Sequence, residues 1–219
     1  VERLLDESIA AEGYVIGDRG DKYKAVDLSK IDFEALKQRF EKSRKRIEAE
    51  RLRGLINSKL AKMVRLNKSR MDYLERFQQM IDEYNAGSMN VDELFRQLTE
   101  FAKELNQEEK RSVTERLSEE ELAVFDLLTK PDMELTNKDR KQVKEVAREL
   151  LETLKKEKLV LDWRKRQQSR AAVMLSIEYT LDGLPPGYSQ DTYREKCDLV
   201  YRHIFDSYYG EGRSIYEMV

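Results

Sequence analysis

Apolar residues recur along this chain at intervals of three and four, the period of a helix that buries one stripe, and not at alternate positions as in a half-buried strand. Leu4, Leu5 and Ile9 predict a short helix over 1–12, ended by Gly13, and the stretch 13–24 reads as a linker. Residues 1–28 are therefore assigned to a short helix and linker from a preceding domain, and 29–219 to a helical bundle. Phe33, Leu36, Phe40 and Ile47, then Leu52, Leu55, Ile56, Leu60, Met63 and Val64, continue the period with Gly54 as the one interruption, read equally as a kink or a tolerated glycine. Met71, Leu74, Phe77, Met80, Ile81 and Tyr84 form the next stripe, closed at Ala86 and Gly87; 86–90 is a candidate joint between subdomains.

Three later starts carry a capping signature, a small polar residue followed three positions on by an acid: Asn90 with Glu93, Ser118 with Glu121, and Thr136 with Asp139. Pro131 closes the second of these helices, because proline cannot continue a helix interior. The third carries Val143, Val146, Ala147, Leu150, Leu151 and Leu154 on its buried face and ends among Lys155, Lys156 and Lys158, where cations meet the negative end of the helix dipole. Asp162 is then read as the N-cap of a helix with apolar positions Trp163, Val173, Met174, Ile177 and Leu181. Gly183, Pro185, Pro186 and Gly187 break the chain, and a last helix over 191–209 leads to an aromatic tail with Tyr208, Tyr209, Ile215 and Tyr216. The expected fold is all-α, an irregular bundle of roughly six to eight helices.

Composition supports this picture: 38% of the 219 residues are charged, with only 9 Gly and 3 Pro. The 41 Lys and Arg against 43 Asp and Glu nearly cancel, so no global field draws the chain to nucleic acid or membrane. A lone Cys197 suits a reducing, cytoplasmic setting, and no apolar run has the length of a membrane span. The chain opens on Val1 inside a helical pattern, which reads as a start within a longer protein.

Charge is unevenly placed. Between Lys37 and Arg70 cations dominate, with Arg44, Lys45 and Arg46 consecutive, and Arg164, Lys165, Arg166 and Arg170 form a second cluster. Such runs are either solvated helix faces or phosphate contacts, each neutralised phosphate adding about 0.9 to the salt-dependence slope. Glu104 to Asp126 is acid-rich and could neutralise the first run from within. Trp163, Tyr209 and Tyr216 are either core residues or anchors for a partner. Catalytic patterns are weak. No Gly is followed by Lys, so the phosphate loop that cradles ATP is missing, and one His with one Cys makes no zinc set. Pro131 and Asp132 followed by Asp139 and Lys141 fit the letters of a nuclease motif, yet Asp139 and Lys141, two apart on a helix, point to different sides.

Three strings, Lys158 to Arg170, Ser118 to Pro131 (SEEELAVFDLLTKP) and Ser207 to Tyr216 (SYYGEGRSIY), resemble the C-terminal helical region of type I restriction enzyme R subunits, in a likeness running from about Asp27 to Tyr216. The resemblance implies a parent with an N-terminal nuclease and two helicase-like motor domains, using ATP and Mg to translocate and cleave DNA, with no cofactor held in this segment. It implies as partners the methyltransferase and specificity subunits, on which the helical region docks the motor subunit. None of the family's catalytic residues has a matching position here. Binding of the duplex-DNA backbone through the basic helices is the alternative role.

Overall fold

The computed structural model describes residues 28–42, 45–130 and 133–217. The helix and linker expected over 1–28, apart from Leu28, lie outside the described residues, as do Arg44, Pro131 and Asp132. In chain order the helices are α1 (Phe33–Lys42), α2 (Lys45–Leu66), α3 (Met71–Asn85), α4 (Val91–Glu109), the five-residue α5 (Arg111–Glu115), α6 (Glu119–Thr129), α7 (Asn137–Thr153), α8 (Gln167–Leu181) and α9 (Gln190–Ser207). Eight of them have ten residues or more, and the described residues are all-α but for a hairpin of β1 (Tyr208–Gly210) and β2 (Arg213–Ser214). The sequence reading carried the last helix through Tyr209; it ends at Ser207, where the backbone turns extended.

The chain divides into two units, one of residues 28–63 and Met71–Arg111, the other of Val64–Arg70 and residues 112–217. Residues 86–90 are therefore not the joint. They connect α3 to α4 within the first unit, because the stripes of these two helices share one core in which the rings of Phe77 and Phe101 stack at 6.0 Å.

That first core gathers Phe40 from α1, Leu52, Ile56 and Leu60 from α2, Phe77 and Ile81 from α3, and Leu94, Leu98 and Leu105 from α4. Phe40 lies flat on Phe95 at 3.9 Å, a stacking worth about 0.5–1.5 kcal/mol beyond area burial. Helix α2 runs unbroken through Gly54. At the start of α4 the Asn90 side chain accepts from the Glu93 N–H, but Glu93 does not reciprocate; its carboxylate takes Arg96 at 2.5 Å and is held down to about 2 by Arg96 and Gln97.

In the second unit both expected capping boxes close, Ser118 with Glu121 and Thr136 with Asp139. Each reciprocal pair satisfies backbone N–H groups that a helix start leaves unbonded, worth about 1 kcal/mol. Leu122, Phe125 and Leu128 of α6, Val143, Leu150 and Leu154 at the end of α7, Val173 and Ile177 of α8, and Val200 and Ile204 of α9 make its core. The lysine-rich end of α7 widens into a π-turn over Leu154–Lys158, and the Leu159 N–H closes it on the Leu154 carbonyl at 2.9 Å. Asp162 is not the N-cap of the next helix. Its φ of 56° is left-handed, whereas an N-cap residue is extended, and α8 starts five residues later behind Arg166. The turn between serves another purpose: it delivers Trp163 to the core, fully buried, edge-on to Phe205 at 5.8 Å.

Candidate functional site

The first basic run is largely spent inside the fold. In the first unit Lys45 pairs with Asp92, Arg39 and Arg51 share Glu48 at 3.6 and 3.1 Å, Arg53 meets Glu50 at 3.3 Å, and Lys59 reaches Glu109 at 2.6 Å. In the second unit Arg70, with 2% of its side chain exposed, lies against Glu119 at 3.0 Å, and Lys68 pairs with Asp206. The acid-rich stretch thus supplies Glu109 and Glu119 to the cations, the neutralisation that the charge pattern allowed. Of the expected phosphate contacts here, Arg46 stands exposed with Lys62 and Arg65 further along α2, Lys45 is engaged, and Arg44 lies outside the described residues.

The second basic cluster is divided by the turn that places Trp163. Arg164 lays its guanidinium over the rings of Phe205 at 4.6 Å and Tyr209 at 5.2 Å. Such a cation–π contact is worth about 0.5–2 kcal/mol, so Arg164 is committed to the fold. Arg170 donates to the Arg164 carbonyl at 2.9 Å. Lys165, at the exposed tip, holds Asp162 at 2.9 Å and keeps that carboxyl below its usual range. Arg166 is exposed ahead of α8. The four cations do not form one phosphate-facing row.

The three aromatic candidates have different fates. Trp163 offers no surface at all, and its Nε1 donates to the Tyr208 carbonyl at 3.2 Å; it anchors the corner and leaves the set of partner-facing residues. Tyr216 is half-buried, and its hydroxyl turns inward, donating to the Leu66 carbonyl at 2.7 Å beside His203 Nε2 at 3.0 Å. Burial drives the Tyr216 hydroxyl far up in pKa and His203 down to about 4, so the imidazole is neutral and can donate from Nε2 to Tyr216 while Nδ1 faces the Ser207 hydroxyl at 3.4 Å. Tyr209 remains half-buried beneath Arg164.

What the periodic reading missed is the outer face of α8. Leu175 is 65% exposed and Tyr179, one turn on, 81% exposed. With exposed Ala171 they form an apolar strip opposite the buried Val173, Ile177 and Leu181. The signal was present: α8 carries more apolar residues than one stripe can bury, and a helix apolar all round is expected to be covered on every side. Of the nuclease-like letters, Asp132 lies outside the described residues, and one carboxylate oxygen of Asp139 accepts from the Thr136 N–H at 3.1 Å and hydroxyl at 2.7 Å as part of the capping box. Among the described residues no group of three or more His, Cys, Asp or Glu could hold a metal ion. Among those residues, too, no helix is long and apolar enough to cross a membrane.

Comparison with known proteins bears out the family resemblance of the chain. No solved structure matches the chain. A curated relative, named "Putative type I restriction enzyme MjaIXP endonuclease subunit" in Methanocaldococcus jannaschii, is 26% identical over 188 residues, covering 84% of this chain. The match takes up 18% of that relative's length. Residues 1–207 match the family described as Type I restriction enzyme HindI endonuclease subunit-like, C-terminal, and the chain belongs to that family.

Proposed function

We propose that this chain is a docking module, the part of a type I restriction endonuclease subunit that seats the subunit on its methyltransferase and specificity partners without performing the chemistry itself. ATP, Mg and the nuclease and motor reactions then belong to the remainder of the subunit, working in the cytoplasm. The observation that carries this reading is the solvent-facing pair Leu175 and Tyr179 on α8, a large apolar side chain and an aromatic one turn apart on a helix whose other face already fills the core. Exposed aromatics with an apolar neighbour are the usual centre of a protein–protein contact. Half-buried Tyr209 is a further anchor at the edge of the same unit.

The test is a pull-down of the chain on the purified methyltransferase–specificity core, with and without DNA, at low and moderate salt. Docking predicts capture without DNA that survives moderate salt. Retention only with DNA and only at low salt would instead support the second reading, a duplex-backbone contact. What favours that second reading is the exposure of Arg46 and Lys62 on α2, cations for which the described residues provide no ion pair. Charge reversal at Arg46 and Lys62 would then lower both the affinity and its salt slope, by about 0.9 per lost phosphate contact.

A further inference from the structure

Within the second unit, α6 and α9 leave a groove of about 600 Å³, the size of a pocket that takes one or two large side chains. Leu127, Leu199, Tyr201 and Phe205 line it, all four only half-buried. The polar groups around it are committed, except that Arg170 and Arg202 have no ion-pair partner among the described residues. Lys68 and Asp206 neutralise each other, one guanidinium nitrogen of Arg170 is given to the Arg164 carbonyl, and both ring nitrogens of His203 face hydroxyl groups. Arg202 lies on the same groove, exposed and without an ion-pair partner among the described residues.

We infer that this groove receives a peptide segment of the partner in which a large apolar side chain is flanked by a carboxylate, the apolar group seated between Leu127, Leu199 and Tyr201 and the carboxylate on Arg202. The inference rests on the docking reading above and names a contact that would serve it. Charge arrangement selects this ligand over a nucleic-acid strand. A strand presents a row of phosphates and needs several unspent cations. Here only Arg170 and Arg202 are without an ion-pair partner among the described residues, too few for a row of phosphates, and the Leu127 and Leu199 side chains of the floor offer no ring on which a base could stack. A single carboxylate fits the planar fork of one arginine, and an apolar neighbour fits the floor.

The test measures the affinity of the full chain for the purified methyltransferase–specificity core, by titration calorimetry, for wild type, Arg202→Glu, Arg202→Lys and Leu199→Asp. Expected are a loss of tenfold or more for Arg202→Glu and Leu199→Asp, a smaller loss for Arg202→Lys, and circular dichroism spectra and melting midpoints like wild type. Wild-type affinity in both Arg202→Glu and Leu199→Asp would overturn the groove while leaving docking intact. Absence of binding by the wild-type chain would overturn docking and the groove with it. A loss confined to binding of a single-stranded 20-mer oligonucleotide, with core binding unchanged, would reassign the groove to nucleic acid and overturn the peptide. Should Leu199→Asp shift the melting midpoint, the Arg202 pair decides, since that side chain is exposed and supports no contact of the fold.

Discussion

The indole nitrogen of Trp163 donates a 3.2 Å hydrogen bond to the backbone carbonyl of Tyr208, 45 residues further along the chain. Around it the turn after α7 and the start of the terminal hairpin are held face to face, for the Glu211 N–H also bonds the Leu159 carbonyl at 3.1 Å. The aromatic tail is thereby docked on the corner, and two of the three strings that carry the resemblance, Lys158 to Arg170 and Ser207 to Tyr216, meet there.

Trp163→Ala should destabilise the second unit by about 3–5 kcal/mol, the cost of emptying a buried aromatic site. Trp163→Phe keeps most of the ring but leaves the Tyr208 carbonyl unpaired, at about 1–3 kcal/mol. Urea unfolding followed by far-ultraviolet circular dichroism ranks the two. As the chain has one Trp, the wild-type emission should be blue-shifted and should report the second unit alone.

Two glycines should respond to Ala in opposite directions. At Gly210, with φ at +95°, an added Cβ would sit 2.5 Å from the Val160 carbonyl oxygen, so Gly210→Ala forces the hairpin off the Trp163 turn and should cost about 2 kcal/mol or more. At Gly54 nothing lies within 4 Å of an added Cβ and the backbone is helical, so Gly54→Ala should stabilise the first unit by about 0.5–1 kcal/mol. Melting midpoints of the two variants check the signs.

How legible each feature was follows from how local its cause is. The capping boxes at Ser118 and Thr136 are decided within four residues, and they form as the sequence reads. The stripe of α7 is likewise local, and its lysine-rich end does stop the helix near Lys158. Trp163 lies on a left-handed turn at Asp162 and not on a helix, and its partners there come from the tail, which arrives from far along the chain and leaves no mark on the apolar period. The basic run looked like a surface field because its partners, Asp92, Glu109 and Asp206, sit tens of residues away. The strip on α8 went unread for another reason: choosing the stripe of Val173, Met174, Ile177 and Leu181 set Leu175 and Tyr179 aside, although the excess of apolar residues was itself the sign.

His203 makes the second unit sensitive to mild acid. Its imidazole is 3% exposed, and burial, reinforced by Lys68 and opposed by Asp206, holds its pKa near 4 against 6.5 for the unperturbed group. Above pH 6.5 the ring is neutral in both folded and unfolded chains and its contribution is fully present. Between pH 6.5 and 4 the unfolded chain takes up the proton and the folded one does not, so stability falls as pH falls, by about 3 kcal/mol over the window at 1.36 kcal/mol per unit. His203→Gln should show a shallower decline over the same window in denaturant titrations at fixed pH, the difference in slope approaching one proton. Equal slopes for the two proteins would mean that the decline belongs to carboxylates alone.

The pair on α8 gives the sharpest test of docking because it separates binding from folding. Leu175 and Tyr179 are 65% and 81% exposed, so replacing them removes little that the fold uses, and Leu175→Asp with Tyr179→Ala should leave the melting midpoint within about 1 °C of wild type, as surface changes of under 0.5 kcal/mol do. In a contact with the methyltransferase–specificity core the same two side chains would be desolvated at its centre, where truncating an aromatic costs about 2 kcal/mol or more, a loss of roughly thirtyfold in affinity. A double variant that folds and melts like wild type yet fails to be captured by the core places the contact on this strip. One that is captured at wild-type affinity moves the interface elsewhere on the chain and leaves the apolar character of the outer α8 face without a role in docking.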